Sequence, residues 1–279
     1  MTDEIQETAN GASMPRGPRL DPIGEARDWQ GNEIRCEACR HNALRAEERC
    51  RPLRACVHDR YARRIDRFFA WNPLLANDYL AHPHFEVRAI AAKYADVFCL
   101  PRLLADPDET VRWNAALRLP KRHLLLLRSD PHREVRIRVA ARLAGADLKP
   151  MMNDPDYYVR LVVARGVDSH LLSLMLRDPE PVVRRVVAER IGADWLMPMA
   201  ADADADVRLA VARRLPAHQL PWLRRDPDWR VRFEVAGRID PARLAELHDD
   251  PDPLVRERAT QRLRELSIDA PGGRAQCLR

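Results

Sequence analysis

The sequence predicts an all-α protein: a solenoid of 24-residue repeats, each an α-helix followed by a short 3₁₀ turn, with a small N-terminal domain built on cysteines. Three observations predict it. Asp-Pro, or a near equivalent, recurs every 24 residues from His82-Pro83 to Asp250-Pro251. A fixed period of this length marks stacked repeats. Within each unit the apolar residues step by three and five, as on a helix face, and never alternate as on a strand. Upstream, Cys36, Cys39, Cys50 and Cys56 fall within 21 residues.

Residues 1–22 carry Gly, Pro, Asn and charges without periodicity and are expected to be a disordered leader. A small domain is expected over 23–81. After its cysteines comes an amphipathic run in which Tyr61, Ile65, Phe68 and Phe69 share one helical face. Asn72-Pro73 marks a break. Leu74, Leu75, Tyr79 and Leu80 are read as the join to the repeats. Residues 267–279, with Pro271-Gly272-Gly273, read as a frayed tail.

Eight repeats are expected over 82–266. Five residues after the Asp position stands Val in every copy, from Val87 to Val255, and next to it Arg, from Arg88 to Arg256. The tenth position is Ala until Thr260 replaces it, and the thirteenth is aliphatic, as in Leu119 and Ile191. Asp-Pro suits a helix N-cap with a first-turn proline, or the turn just before it. The second half reads Leu-x-x-Leu, for example Leu124 and Leu127, a step of three that suits a single 3₁₀ turn. A helix of about ten residues plus connections leaves no room for a second full helix. The alanine column lets helices approach to about 8–10 Å, so eight units would span roughly 70–80 Å. No such helix is stable alone, so each unit must lean on its neighbours.

The arginine after Val has two readings. It could line a groove for phosphates. The acid at the start of each copy favours a ladder in which Arg of one unit pairs with Asp of the next. A second row (Arg118, Arg142, Arg190, Arg214, Arg238, Arg262) is the better candidate for a free basic surface.

The repeat, with its Asp-Pro-x-x-x-Val-Arg-x-x-Val-Ala-x-Arg-Leu pattern, resembles the leucine-rich repeat variant family. The resemblance covers about two thirds of the chain and implies a right-handed superhelix of alternating α- and 3₁₀-helices. Departures from the pattern are few, among them His82 for Asp, Ala203 for Pro, and Gly166 in the second arginine row.

The cysteine spacing is Cys-x2-Cys-x10-Cys-x5-Cys. Four thiolates can hold one tetrahedral Zn²⁺ or one iron–sulfur cluster. Only one pair is a Cys-x-x-Cys knuckle; the wider second pair suits a cubane. The run also resembles the N-terminal cysteine cluster of the same family, which implies a [4Fe-4S] cluster on Cys36, Cys39, Cys50 and Cys56. His41 and His58 read as surface or supporting residues. Ten arginines between Arg35 and Arg67 would surround an anionic centre. Cys99 reads as a small core residue and Cys277 as an exposed tail thiol.

The net charge is only +5 despite 32% charged residues, and nearly all the positive charge is arginine. No run of eighteen apolar residues predicts a membrane span. A cytoplasmic location is expected, where such cysteines bind metal rather than form disulfides. Glycine is scarce, no nucleotide loop is seen, and no His stands with a Ser or Cys as a nucleophile would need; no enzyme chemistry is expected. The function expected is an iron–sulfur protein whose solenoid binds an unidentified protein partner, with electron transfer or redox or oxygen sensing as possible roles. The alternative is a nucleic-acid-binding solenoid with a structural cluster. Sparse aromatics, out of column, speak against a base-stacking platform.

Overall fold

A computed structural model describes residues 24–268. The expected leader, most of the expected tail and Cys277 lie outside the described residues. The chain forms two compact units, one ending at Asp96 and the other beginning at Val97.

The first unit holds helices α1 (Asn42–Ala46), α2 (Ala62–Trp71) and α3 (Phe85–Tyr94), with a 3₁₀ segment over Pro73–Tyr79. Among the described residues, strand-like pairing is confined to three isolated bridges, Arg27 with Glu33, Asp28 with Asp59, and Arg51 with Ala55. The amphipathic run is α2, and it buries Ile65, Phe68 and Phe69 completely. Phe69 meets Phe68 and Tyr79 edge-on, both at 5.5 Å between centroids. Such pairs add to plain burial. Helix α3, the first repeat helix, packs on α2 and on the 3₁₀ segment. That packing is why this unit runs on past residue 81.

In the second unit ten-residue helices alternate with 3₁₀ segments. The helices are α4 (Glu109–Arg118), α6 (Arg133–Arg142), α7 (Tyr157–Gly166), α8 (Pro181–Arg190), α9 (Ala205–Arg214) and α10 (Trp229–Arg238). One short turn, α5 (Lys121–Leu124), replaces the start of a 3₁₀ segment, and the last helix, α11 (Pro253–Ile268), is longer. Past the short α5, each of these helices packs on the next, α4 on α6 and so on to α10 on α11. The Val column is fully buried from Val111 to Val255, and both leucines of each Leu-x-x-Leu, or the Met in their place, are buried.

Asp-Pro forms the turn just before the helix. Its Asp accepts the N–H two residues on, as Asp130 does from His132 at 2.8 Å. The N-cap is that second residue; where it is Asp, as Asp108, Asp156, Asp204 and Asp228, its carboxylate caps the first turn.

The first arginine row forms the ladder. Arg160 donates from Nε and Nη2 to both oxygens of Asp178 at 2.7 and 3.0 Å, and from Nη1 to the carbonyl of Asp154 at 2.8 Å. The same fork joins Arg112 to Asp130, Arg136 to Asp154, Arg184 to Asp202, Arg208 to Asp226 and Arg232 to Asp250. Each guanidinium therefore ties its own entry turn to that of the next repeat, in a bidentate geometry that only arginine offers.

The second row is not a free basic surface. Arg142 donates to the carbonyls of Ala116 and Leu119, Arg190 to those of Ala164 and Val167, and Arg238 to those of Ala212 and Leu215. Arg214 and Arg262 do the same with Ala188 and Ala236. These are last-turn carbonyls of the preceding helix, which have no partner within that helix.

The departures have local reasons. A Cβ at Gly166 would meet Cδ1 of the buried Leu148 at 2.8 Å. The carbonyl of Ala203 still accepts from Arg208, so the ring of Pro is dispensable there. The imidazole of His82 accepts the His84 N–H as Asp does elsewhere. Cys99 is half-buried rather than a core residue.

Candidate metal centre

The Cys36-x-x-Cys39 pair lies on one tight turn, closed by the Cys39 N–H to the Cys36 carbonyl at 3.2 Å. A turn of this kind presents both sulfurs to one side. The next backbone N–H but one, from His41, donates to Cys39 Sγ at 3.4 Å. After α1 the chain reverses through Glu48, which takes a left-handed φ of 56°. The N–H groups of Arg49 and Cys50 both reach back to the Leu44 carbonyl. Arg51 and Ala55 then exchange backbone bonds at 2.9 and 2.8 Å across a loop whose Leu53 has a φ of 63°. Cys50 and Cys56 flank this closed loop, and that closure sets their thiols side by side.

Cys50 and Cys56 are buried, while Cys36 and Cys39 are half-buried. The four thiols act on one another. The hydrogen bond between Cys50 and Cys56, with burial, pushes the Cys56 thiol up. The same bond pulls Cys50 down against its burial. Burial raises Cys36, the Arg45 charge opposes this, and Cys56 and Cys39 add to the rise. Like groups so crowded cannot all ionise unless positive charge takes the place of their protons. Among the described residues no three His, Cys, Asp or Glu side chains are gathered closely enough to hold one metal ion. The donors present are four soft thiols in one loop system with N–H groups aimed at sulfur, and they fit a thiolate-held iron–sulfur group.

Three supports that sequence reasoning missed hold this loop. The amide of Asn72, almost wholly buried, donates to the Arg49 carbonyl at 2.8 Å and to the Phe68 carbonyl at 2.9 Å. It fixes the residue before Cys50 to the end of α2. Asp59, fully buried in its side chain, pairs with Arg64 at 3.0 Å and accepts the Tyr61 N–H, holding the residues after Cys56 on the start of α2. Tyr79, read from sequence as part of the join, reaches into the cysteine unit, where its hydroxyl lies 2.5 Å from His41 Nε2. Burial, then the Arg40 charge, depresses His41 to about 4, and burial raises Tyr79 to about 12. At neutral pH the pair is uncharged. His41 and His58 thus support the site: His58, kept low by burial, donates its backbone N–H to Cys56. The only signal in the sequence for Asn72 is its place before Pro73.

The surrounding arginines divide. Arg40, Arg45, Arg49 and Arg64 face Asp78, Glu37, Glu47 and Asp59 respectively. Arg51 and Arg54 are exposed and pair with no carboxylate among the described residues. Arg54 lies over the Trp71 ring at 5.8 Å.

Residues 26–78 match the family model of the LRV protein FeS4 cluster, a span that contains all four cysteines. An uncharacterised 27.7 kDa protein from the nifB 3′ region of Rhodobacter capsulatus is 50% identical over 110 residues, 39% of this chain and 42% of that protein. The chain thus aligns with less than half the length of that relative. A solved structure, described as a leucine-rich repeat variant with a novel repetitive structural motif, is 42% identical. It aligns with 82% of this chain and 99% of its own, at a TM-score of 0.79. Among the described residues no helix is long and apolar enough to cross a membrane. With the 24-residue unit, its arginine ladder and the cysteine loop all in place, the chain belongs to the leucine-rich repeat variant family.

Proposed function

We propose that Cys36, Cys39, Cys50 and Cys56 hold a [4Fe-4S] cluster and that the protein is a cytoplasmic, non-enzymatic redox or sensing module whose repeats bind a protein partner. The observation that carries this reading is the cysteine loop itself: four thiols acting on one another, two of them buried, on backbone fixed by Asn72 and Asp59. When bound, the cluster supplies a one-electron couple. The residues of this chain orient the sulfurs, donate N–H groups from His41 and His58, and keep water from Cys56. The spacing favours four iron atoms over one zinc because only Cys36 and Cys39 form a Cys-x-x-Cys knuckle, while Cys50 and Cys56 stand further apart.

Anaerobic purification followed by iron and acid-labile sulfide analysis tests this. About four of each per chain is the expected result; zinc without sulfide would remove the redox reading. The nucleic-acid alternative gains nothing from the arginine rows, since the first binds aspartate and the second binds helix carbonyls. Duplex DNA binding that collapses with salt would restore it.

A further inference from the structure

Two cavities open onto the cysteine loop, and their charges differ. The larger, about 670 Å³, is lined by Arg45, Glu48, Cys50, Arg51, Arg54 and Trp71. The smaller, about 380 Å³, reaches Cys39 and sets Arg35 and Arg40 against Asp28 and Glu33. The Cys39 opening is balanced; the Cys50 opening carries three guanidiniums against one carboxylate. Glu37 faces Arg45 at 3.7 Å, while Arg51 and Arg54 pair with no carboxylate among the described residues.

We propose that the arginine-rimmed cavity at Cys50 is the docking site for an acidic, one-electron carrier protein. This rests on the reading that the cysteines hold a redox-active cluster. Charge complementarity selects the partner: exposed, unpaired arginines steer and hold a carboxylate-rich surface. The guanidiniums also take separate neighbours around the rim. Arg45 leans 3.7 Å from Glu37 and Arg54 lies over Trp71. Such an array suits carboxylates distributed over a protein surface and is poorly made for one small anion. Docking there brings the partner against Cys50, a sulfur of the centre, so one electron passes between the two proteins with no bond made or broken.

The test uses the full chain with its cluster and a plant-type [2Fe-2S] ferredoxin as the acidic probe. Binding is measured by calorimetry at low and moderate salt, and electron exchange by stopped flow. Wild type is expected to bind and to lose about tenfold in affinity as salt is raised. R51E/R54E is expected to bind at least about tenfold more weakly, with iron content and visible spectrum unchanged. R51Q/R54Q should fall between them, and serves if charge reversal disturbs folding. The same charge change at Arg165 and Arg213, exposed on the solenoid, should leave binding intact. Equal weakening by both pairs, or none by R51E/R54E, overturns the proposal. So does saturable binding of inorganic phosphate that R51E/R54E abolishes while ferredoxin does not bind. Binding that follows the arginines without electron exchange supports the docking site and removes the redox reading instead.

Discussion

Asn72 shows how much one side chain carries in the cysteine unit. Its amide bridges the Arg49 carbonyl and the end of α2. Asn72→Leu keeps the volume but leaves the Arg49 carbonyl without that donor. A loss of about 1–3 kcal/mol is expected, read as a lower unfolding midpoint and faster iron release from the anaerobic protein. An unchanged release rate would show that Cys50 is held by the Leu44 carbonyl alone. Arg45 acts differently, through charge: it opposes the rise at Cys36 and helps lower Cys50. Arg45→Gln should lower the midpoint potential by tens of millivolts, because a positive charge near the cluster favours its reduced form; voltammetry of the two proteins decides it. At this scale the sequence was only partly legible. The four cysteines announce themselves by type and spacing. Asn72 and Tyr79 do not, since their partners are a backbone carbonyl 23 residues away and an imidazole 38 residues away, and nothing local encodes either contact.

The repeat element is legible where its chemistry is local and misleading where it is not. Val after Asp-Pro at a step of five reads directly as a buried helix face. The second arginine row read as solvent-facing charge because its acceptors are backbone carbonyls of the preceding helix, 23 and 26 residues back, and carbonyls leave no mark on a sequence. The first row could be read because its acceptor is a side chain, Asp, that repeats with it. Breaking one rung leaves a buried charge without its partner: Asp178→Ala should cost about 3–5 kcal/mol in urea unfolding. Among the described residues Arg256 meets no aspartate of a following repeat and donates to the Asp250 and Pro251 carbonyls, so Arg256→Ala should cost no more than about 1 kcal/mol. Similar losses at the two sites would mean that the rungs are not what joins the units. The rungs also set an acid limit. Burial alone would raise Asp202, but the Arg184 bond, the Asp204 N–H and the charges of Arg184 and Arg208 outweigh it and hold the carboxyl below its ordinary 3.8. Asp250 is held low in the same way by Arg232. A carboxyl depressed in the folded state stabilises fully above its unfolded value and loses that contribution as pH falls through the folded one. The unfolding midpoint should therefore stay flat from neutrality to about pH 5 and fall below about pH 4. In Asp202→Asn the drop below that point should be shallower.

Across the second unit the rungs add a directed term to nearest-neighbour packing. A stack whose units contact only their neighbours owes its cooperativity to the interfaces. Here each interface joins a fully buried apolar column to one bidentate Arg–Asp fork. The period made this arrangement visible in advance, because every copy must satisfy the same neighbour. The cysteine unit lacks such redundancy, so its loop path had to await the structure. Removing a rung near the middle should weaken one interface of the stack more than it weakens any single helix. Asp178→Ala is then expected to divide the unfolding of the repeats: amide hydrogen exchange should quicken on both sides of the interface between α7 and α8, and a second, earlier transition should appear in the denaturation curve. Arg256→Ala, at the end of the row, should quicken exchange only in α11. If Asp178→Ala instead lowers a single transition uniformly, with protection lost evenly from α4 to α11, the stack is cooperative through its apolar column alone. The arginine forks would then fix the alignment of adjacent turns while adding little to the coupling between them.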